Sequence, residues 1–274
     1  MGNRKVIRIQ IGNKLIWQLT LLFLLGTAIH SQAQQEAGVF SKLLFVDNGD
    51  TLKYQILYPE NYNPDEKYPL LLFLHGAGER GDDNKRQMNM GGNLFTKEQS
   101  LKDHPAIVVF PQCPVDTMWT ARIKHKNEAG EWVFEFSVKE KAPRPAEMVN
   151  QLVESLIETP QADQQRVYIL GISMGGIGTL EFLHRWPDKY AAAAVICGGH
   201  DPELTKNYRH IPIWFFHRRK DDVVPSHYSK EIYDKVKIGN KSTKYTLYPE
   251  ANHNSWDAAL AEPELLNWIF KFKK

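Results

Sequence analysis

Residues 166–186 constrain the fold of this chain most. A short apolar run, Val167-Tyr168-Ile169-Leu170, feeds Gly171-Ile172-Ser173-Met174-Gly175-Gly176 and then a helical pattern. The order reads as a strand, a tight turn carrying a serine, and a helix. A serine lifted out on a strained strand-to-helix turn needs neighbours without side chains, and Gly171 and Gly175 supply that room. The turn would also put the Met174 N–H at a helix start, where unpaired amides and the helix dipole favour a developing negative charge. Ser173 is therefore the candidate nucleophile. By itself G-x-S-x-G recurs by chance in roughly one chain in ten of this length, so the surrounding elements decide what it means.

Those elements alternate. Residues 39–46 and 51–58 read as two strands joined by Asp47-Asn48-Gly49-Asp50, an Asn-Gly turn, and should form an antiparallel edge. Residues 68–74 are nearly all apolar, as expected of a parallel strand buried on both faces, and deliver His75-Gly76-Ala77-Gly78 at their C-terminal end. Residues 82–103 read as loop with a short helix, and 105–110 as the next buried strand. A helix follows over 145–158, opened by Pro145, and another over 177–186, stopped by Pro187. Strands over 191–196, 211–216 and 244–248, with helices over 226–237 and at the C-terminus, complete the pattern. Such alternation predicts an α/β fold with a mostly parallel central sheet covered by helices on both faces.

One segment breaks the rhythm. Over residues 119–139 the pattern becomes strict alternation, with Trp119, Ala121 and Ile123 before Asn127-Glu128-Ala129-Gly130, and Trp132, Phe134, Phe136 and Val138 after it. This predicts an inserted β-hairpin with one apolar face. The face could wall a cleft at the sheet's end or simply pack on the rest of the fold.

Composition narrows the function classes. The 274 residues carry a formal charge of +2 with no basic stripe, which argues against nucleic acid as a partner. Arg4, Lys5, Arg8 and Lys14 precede an apolar run over 15–29, and Ser31-Gln32-Ala33 offers small residues for cleavage. Residues 1–33 thus read as a signal peptide, leaving a single α/β domain over 34–274 that is secreted or periplasmic. The run is interrupted by Gln18 and Gly26 and falls short of the ~20 apolar residues of a span, so no stable membrane anchor is expected after cleavage. Cys113 and Cys197 follow strands that need not be neighbours and are expected to be free thiols.

A serine hydroxyl needs a base to become nucleophilic at neutral pH, and the base needs an acid partner to fix its tautomer. On a hydrolase sheet these follow in the order Ser, Asp or Glu, His, each after a later strand. Asp221 follows the strand ending near Phe216, and His253 follows the strand ending at Tyr248. Asp222 competes with Asp221 for the acid role from the same loop. His75, His200 and His217 also lie at strand ends, but without the close spacing of a metal motif they read as loop-packing residues. No catalytic metal and no cofactor are expected.

The chain resembles the α/β-hydrolase superfamily, close to secreted dienelactone hydrolase-like esterases and predicted peptidases. These border on the feruloyl and acetyl-xylan esterases of carbohydrate esterase family 1. The resemblance rests on F-L-H-G-A-G-E-R-G from Phe73, P-Q-C-P from Pro111, G-I-S-M-G-G from Gly171, I-C-G-G from Ile196, K-D-D-V-V-P from Lys220 and H-N-S-W-D from His253. It implies a serine carboxylic-ester hydrolase with Ser173 as nucleophile, Asp221 as acid and His253 as base. It further implies an oxyanion hole from the Ala77 and Met174 amides, with Trp119 and Trp256 flanking the cleft. The implied partner is a small-molecule or polysaccharide ester. A peptidase with the same triad and a catalytically silent carbohydrate-binding protein are the alternatives. Two positions depart from the pattern: Arg218, where a glycine usually follows the histidine of the acid loop, and His200, where a further glycine is common.

Overall fold

Asn48 and Gly49 both adopt positive φ, 49° and 87°, and close a two-residue hairpin between β1 (Ser41–Asp47) and β2 (Asp50–Leu57). Two left-handed central residues match the right-handed twist of the flanking strands, which is why Asn-Gly is favoured there. The computed structural model describes residues 37–130, 132–136 and 141–274. The expected signal peptide over 1–33 lies outside the described residues.

The hairpin is the antiparallel edge of an eight-stranded sheet in the order β1-β2-β4-β3-β7-β8-β9-β10. The further strands are β3 (Tyr68–Leu74), β4 (Ile107–Pro111), β7 (Ala162–Ile172), β8 (Ala192–Ile196), β9 (Ile213–Lys220) and β10 (Lys244–Ala251). From β4 to β10 every pairing is parallel. A separate antiparallel pair, β5 (Arg122–Lys126) and β6 (Trp132–Phe136), forms the predicted hairpin.

The apolar runs are explained by two cores. Along β3, Leu70, Leu72 and Leu74 enter one core and Leu71 and Phe73 the other, because successive side chains leave a strand on opposite faces. The first core is closed by α3 (Arg144–Ile157), α4 (Met174–Arg185) and α5 (His227–Gly239). The second is closed by α1 (Gly92–Thr96), α6 (Trp256–Leu260) and α7 (Leu265–Phe270); α2 (Glu98–Asp103) follows directly on α1. Burying all seven residues of β3 removes each from water at a gain of roughly 1.5–3 kcal/mol per large side chain. The fold is an α/β-hydrolase sheet, and its parallel strands send their C-terminal ends to one edge. No helix among the described residues is long and apolar enough to cross a membrane.

The hairpin differs from expectation in one respect. Five residues separate Lys126 from Trp132, so paired positions have equal parity: Arg122 faces Phe136, Lys124 faces Phe134, and Lys126 faces Trp132. The aromatic face is therefore shared with cations, while Ile123 pairs with Glu135. Trp119 lies outside the hairpin altogether, and residues 137–139 of the expected segment lie outside the described residues.

Candidate active site

Ser173 sits between β7 and α4 with φ 54° and ψ −113°, a strained conformation for a residue with a side chain. Glycines make it attainable. A Cβ on Gly175 would collide with the Leu74 and His75 carbonyl oxygens, and one on Gly171 with the Gly175 carbonyl. Strand, turn and helix thus touch backbone to backbone, and the Ser173 N–H donates to Ile196 O at 2.8 Å, tying the turn to β8.

The candidate acid and base come from the next strand ends but one and two. Ser173 Oγ lies 2.7 Å from His253 Nε2, and His253 Nδ1 lies 2.7 Å from Asp221 Oδ2. An ionised carboxylate only accepts, so Nδ1 carries the proton and Nε2 is left to accept from the serine hydroxyl. The other Asp221 oxygen, Oδ1, accepts the Val223 and Val224 N–H groups, each at 2.9 Å. His217 Nε2 stands 3.2 Å from Asp221 Oδ2. Although burial opposes ionisation, the close His217 Nε2, which also lies 2.9 Å from Val224 O, together with the hydrogen bonds from His253 and the loop amides, holds the Asp221 carboxyl well below the ordinary carboxylate range. Asp222, by contrast, is exposed.

Beside the serine, Met174 opens α4, so its amide has no partner within the helix. Ala77 is exposed at the head of a single 3-10 turn, Ala77–Glu79, that follows β3. A Cβ on Gly76 would come within 3.8 Å of Ser173 Cβ, so the Gly76-Ala77 backbone runs directly past the serine. Trp256 meets the His253 ring edge to face, with centroids 5.5 Å apart.

Trp119 is placed elsewhere than expected. It is fully buried, its Nε1–H donates to His75 O at 3.1 Å, and it occupies the space left by the missing side chain of Gly178. It supports the loop carrying Ala77 from beneath and does not flank the cleft. His75 completes that support. Its Nε2 accepts the Cys113 N–H at 2.9 Å, which leaves Nδ1–H to donate to Gly76 O at 2.6 Å. Burial holds this imidazole neutral, lowering its pKa to about 4.

The two departures from the family pattern have partners. Arg218 donates to Asn252 Oδ1 at 3.2 Å, linking β9 to the loop that carries His253. His200 is buried against Glu181, 2.7 Å from Nε2 to Oε2, and stacks on Phe136 of the hairpin. Cys113 and Cys197 are free and buried, and β3 and β7 stand between the strands they follow. Cys197, Asp221 and His253 form the one group of metal-ligating side chains among the described residues. Both ring nitrogens of His253 and both Asp221 oxygens are already engaged, and burial raises the Cys197 thiol well above its ordinary value.

Sequence reasoning did not reach His217 as a partner of Asp221. Its i,i+4 spacing from Asp221 was legible, but only the bend after β9 turns that spacing into contact.

An eight-stranded, mostly parallel sheet with serine, carboxylate and imidazole in line at its C-terminal edge defines an α/β-hydrolase. Residues 62–264 match the phospholipase/carboxylesterase family, and the chain belongs to it. It is 28% identical over 167 residues to a bifunctional acetylxylan esterase/xylanase of Neocallimastix patriciarum, covering 61% of this chain and 21% of that one. Identity to a poly(3-hydroxyoctanoate) depolymerase of Pseudomonas fluorescens is 26%, over 82% of each chain. Among solved structures, a thermostable esterase superposes with a TM-score of 0.75 at 32% identity, covering 86% of this chain and 63% of that one. The chain thus spans only about a fifth of the first relative and under two thirds of the esterase.

Proposed function

We propose that the protein is a serine esterase acting on acyl or feruloyl esters of extracellular polysaccharide or related small esters. The observation that carries this reading is the continuous relay from Ser173 Oγ through His253 to Asp221, with 2.7 Å at each step. His253 Nε2 takes the Ser173 proton as Oγ attacks the ester carbonyl, and Asp221 stabilises the imidazolium so formed. The Ala77 and Met174 amides receive the tetrahedral oxyanion, a contribution that in comparable sites is worth about 2.7–4 kcal/mol per donor. His253 then returns the proton to the leaving alcohol, leaving an acyl-serine. A water activated by the same imidazole releases the acid and regenerates the enzyme. No cofactor enters this cycle.

The likeness to an acetylxylan esterase/xylanase supports polysaccharide esters, and the basic-then-apolar pattern of residues 1–33 supports export to where such esters occur. A panel of simple aryl, acetylated and feruloylated esters, run with wild type and Ser173→Ala, tests the reading. Turnover that is abolished by the substitution is expected. Turnover that survives it, or cleavage confined to peptide amides, overturns the assignment.

A further inference from the structure

The hairpin brings two cations, Arg122 and Lys124, to the site, and neither forms an ion pair among the described residues. Arg122 lies over the Phe134 ring, 4.8 Å from guanidinium carbon to centroid, and Lys124 Nζ lies 3.9 Å from the Trp132 centroid and 5.3 Å from that of Phe134. Phe134 in turn packs on Ile177, one helical turn after Ser173, and on Val224 of the loop that holds Asp221. The two cations therefore stand on a ring whose floor is the nucleophile helix and the acid loop.

A third cation, Arg80, lies three residues after Ala77. It is fixed by donating from Nε to Ala77 O at 3.0 Å and from Nη1 to Thr117 O at 3.2 Å. The neighbouring Glu79 carboxylate turns back against Gly76, and no ion pair between it and Arg80 occurs among the described residues. Arg80 and Arg122 are close enough to repel, and Lys124 feels both Arg122 and the Asp221 carboxylate.

Arg122 has no carboxylate partner among the described residues, and its Nε is shut off from solvent with nothing to donate to. Burial and the charge of Arg80 lower its pKa to about 10, so it remains a cation at neutral pH. A half-buried guanidinium without a counter-ion is costly unless an acceptor meets the part of it that still faces solvent. Planar bidentate geometry makes a carboxylate the best acceptor for Arg.

We propose that Arg122, with Arg80 and Lys124 beside it, forms an anion subsite that receives a free carboxylate carried by the ester substrate. The acid function is held between the hairpin and the Ala77 loop while the ester carbonyl lies at Ser173. The aromatic rings beneath the cations supply a flat apolar bed for the carbon skeleton that joins the two groups. The inference rests on the esterase reading for its substrate class and on the hairpin geometry for its charge preference.

Two pairs of esters locate the carboxylate. A 4-nitrophenyl monoester of glutaric acid against 4-nitrophenyl valerate places it on the acyl side. Acetylated methyl glucuronoside against acetylated methyl glucoside places it on the alcohol side. At low salt, wild type should favour the anionic member of one pair by at least about tenfold in kcat/KM, and the preference should shrink as salt rises. Arg122→Gln should erase it by lowering kcat/KM on the anionic member about 10- to 100-fold, with a much smaller change on the neutral one, while Arg122→Lys keeps part of it. Equal rates on both members of both pairs, or a loss in Arg122→Gln that leaves the ratio unchanged, overturn the subsite. Neutral esters report on the esterase reading alone. Calorimetric binding of glutarate to wild type and Arg122→Gln reports on the subsite without turnover, and wild type that neither binds glutarate nor prefers an anionic ester sinks it whatever the esterase result.

Discussion

The turn around Ser173 and the β5–β6 hairpin border the same site but are held by different forces. At the turn, backbone touches backbone: Gly171 and Gly175 admit no side chain, and Ser173 is bonded to β8. At the hairpin, attachment comes from Phe134 and Phe136 against Ile177, Val224, Tyr228 and His200, with one hydrogen bond among the described residues, from the Phe134 N–H to Tyr228 Oη at 3.0 Å. Contacts of the first kind tolerate no change without moving a strand, whereas those of the second can be altered one ring at a time. We propose from this contrast that the chemistry belongs to the sheet edge and the choice of substrate to the hairpin.

The largest test of that division removes the reacting groups. Ser173→Ala and His253→Ala should each lower turnover of a short aryl ester by about 10⁴ to 10⁶, with melting temperature little changed. Retention of more than a few per cent activity by Ser173→Ala, in a preparation free of other esterases, would show that the sheet edge does not hold the chemistry.

Asp221→Asn should cost about 10⁴ in turnover, because an amide can stabilise the unproductive tautomer of His253, while exposed Asp222→Asn should change little. The reverse ranking would move the acid by one residue and weaken the claim that the loop amides of Val223 and Val224 select it.

A smaller effect sharpens the rigid side of the comparison. His75 is buried neutral with its pKa lowered from 6.5 to about 4, so between those values the unfolded chain binds a proton that the folded chain excludes. Its contribution is whole above pH 6.5 and is lost as pH falls toward 4, a change on the order of 3 kcal/mol. Urea unfolding at pH 4.5, 5.5 and 7 should show a steeper decline for wild type than for His75→Gln. Parallel declines would mean that the support beneath Ala77 does not depend on a neutral imidazole.

The smallest effect on small-ester turnover belongs to the hairpin. Phe134→Ala should leave it within about tenfold but depress a bulky feruloyl ester more, since remote contacts assist only substrates large enough to make them. Equal losses on both esters with a lowered melting temperature would show that the hairpin merely packs and would dissolve the contrast.

Legibility in the sequence followed the same division. The nucleophile turn, the buried strands and the order Ser173, Asp221, His253 could be read directly, because a strand buried on both faces and a serine turn between glycines each demand a narrow set of residues at fixed short spacing. Those are local constraints. Trp119 was misplaced because an aromatic after a strand end carries no sign of whether it lines a cleft or fills one, and the slot that takes it is made by Gly178, 59 positions further along. The hairpin's aromatic face was legible, but its sharing with Arg122 and Lys124 depended on the strand register set by the turn. His217 met Asp221 only through the chain bend after β9. The sequence alone determined which elements form and the order of the candidate groups along them, since those follow from spacing along the chain; the tertiary structure decided which side chains meet at the site, because that depends on residues distant in sequence being packed together.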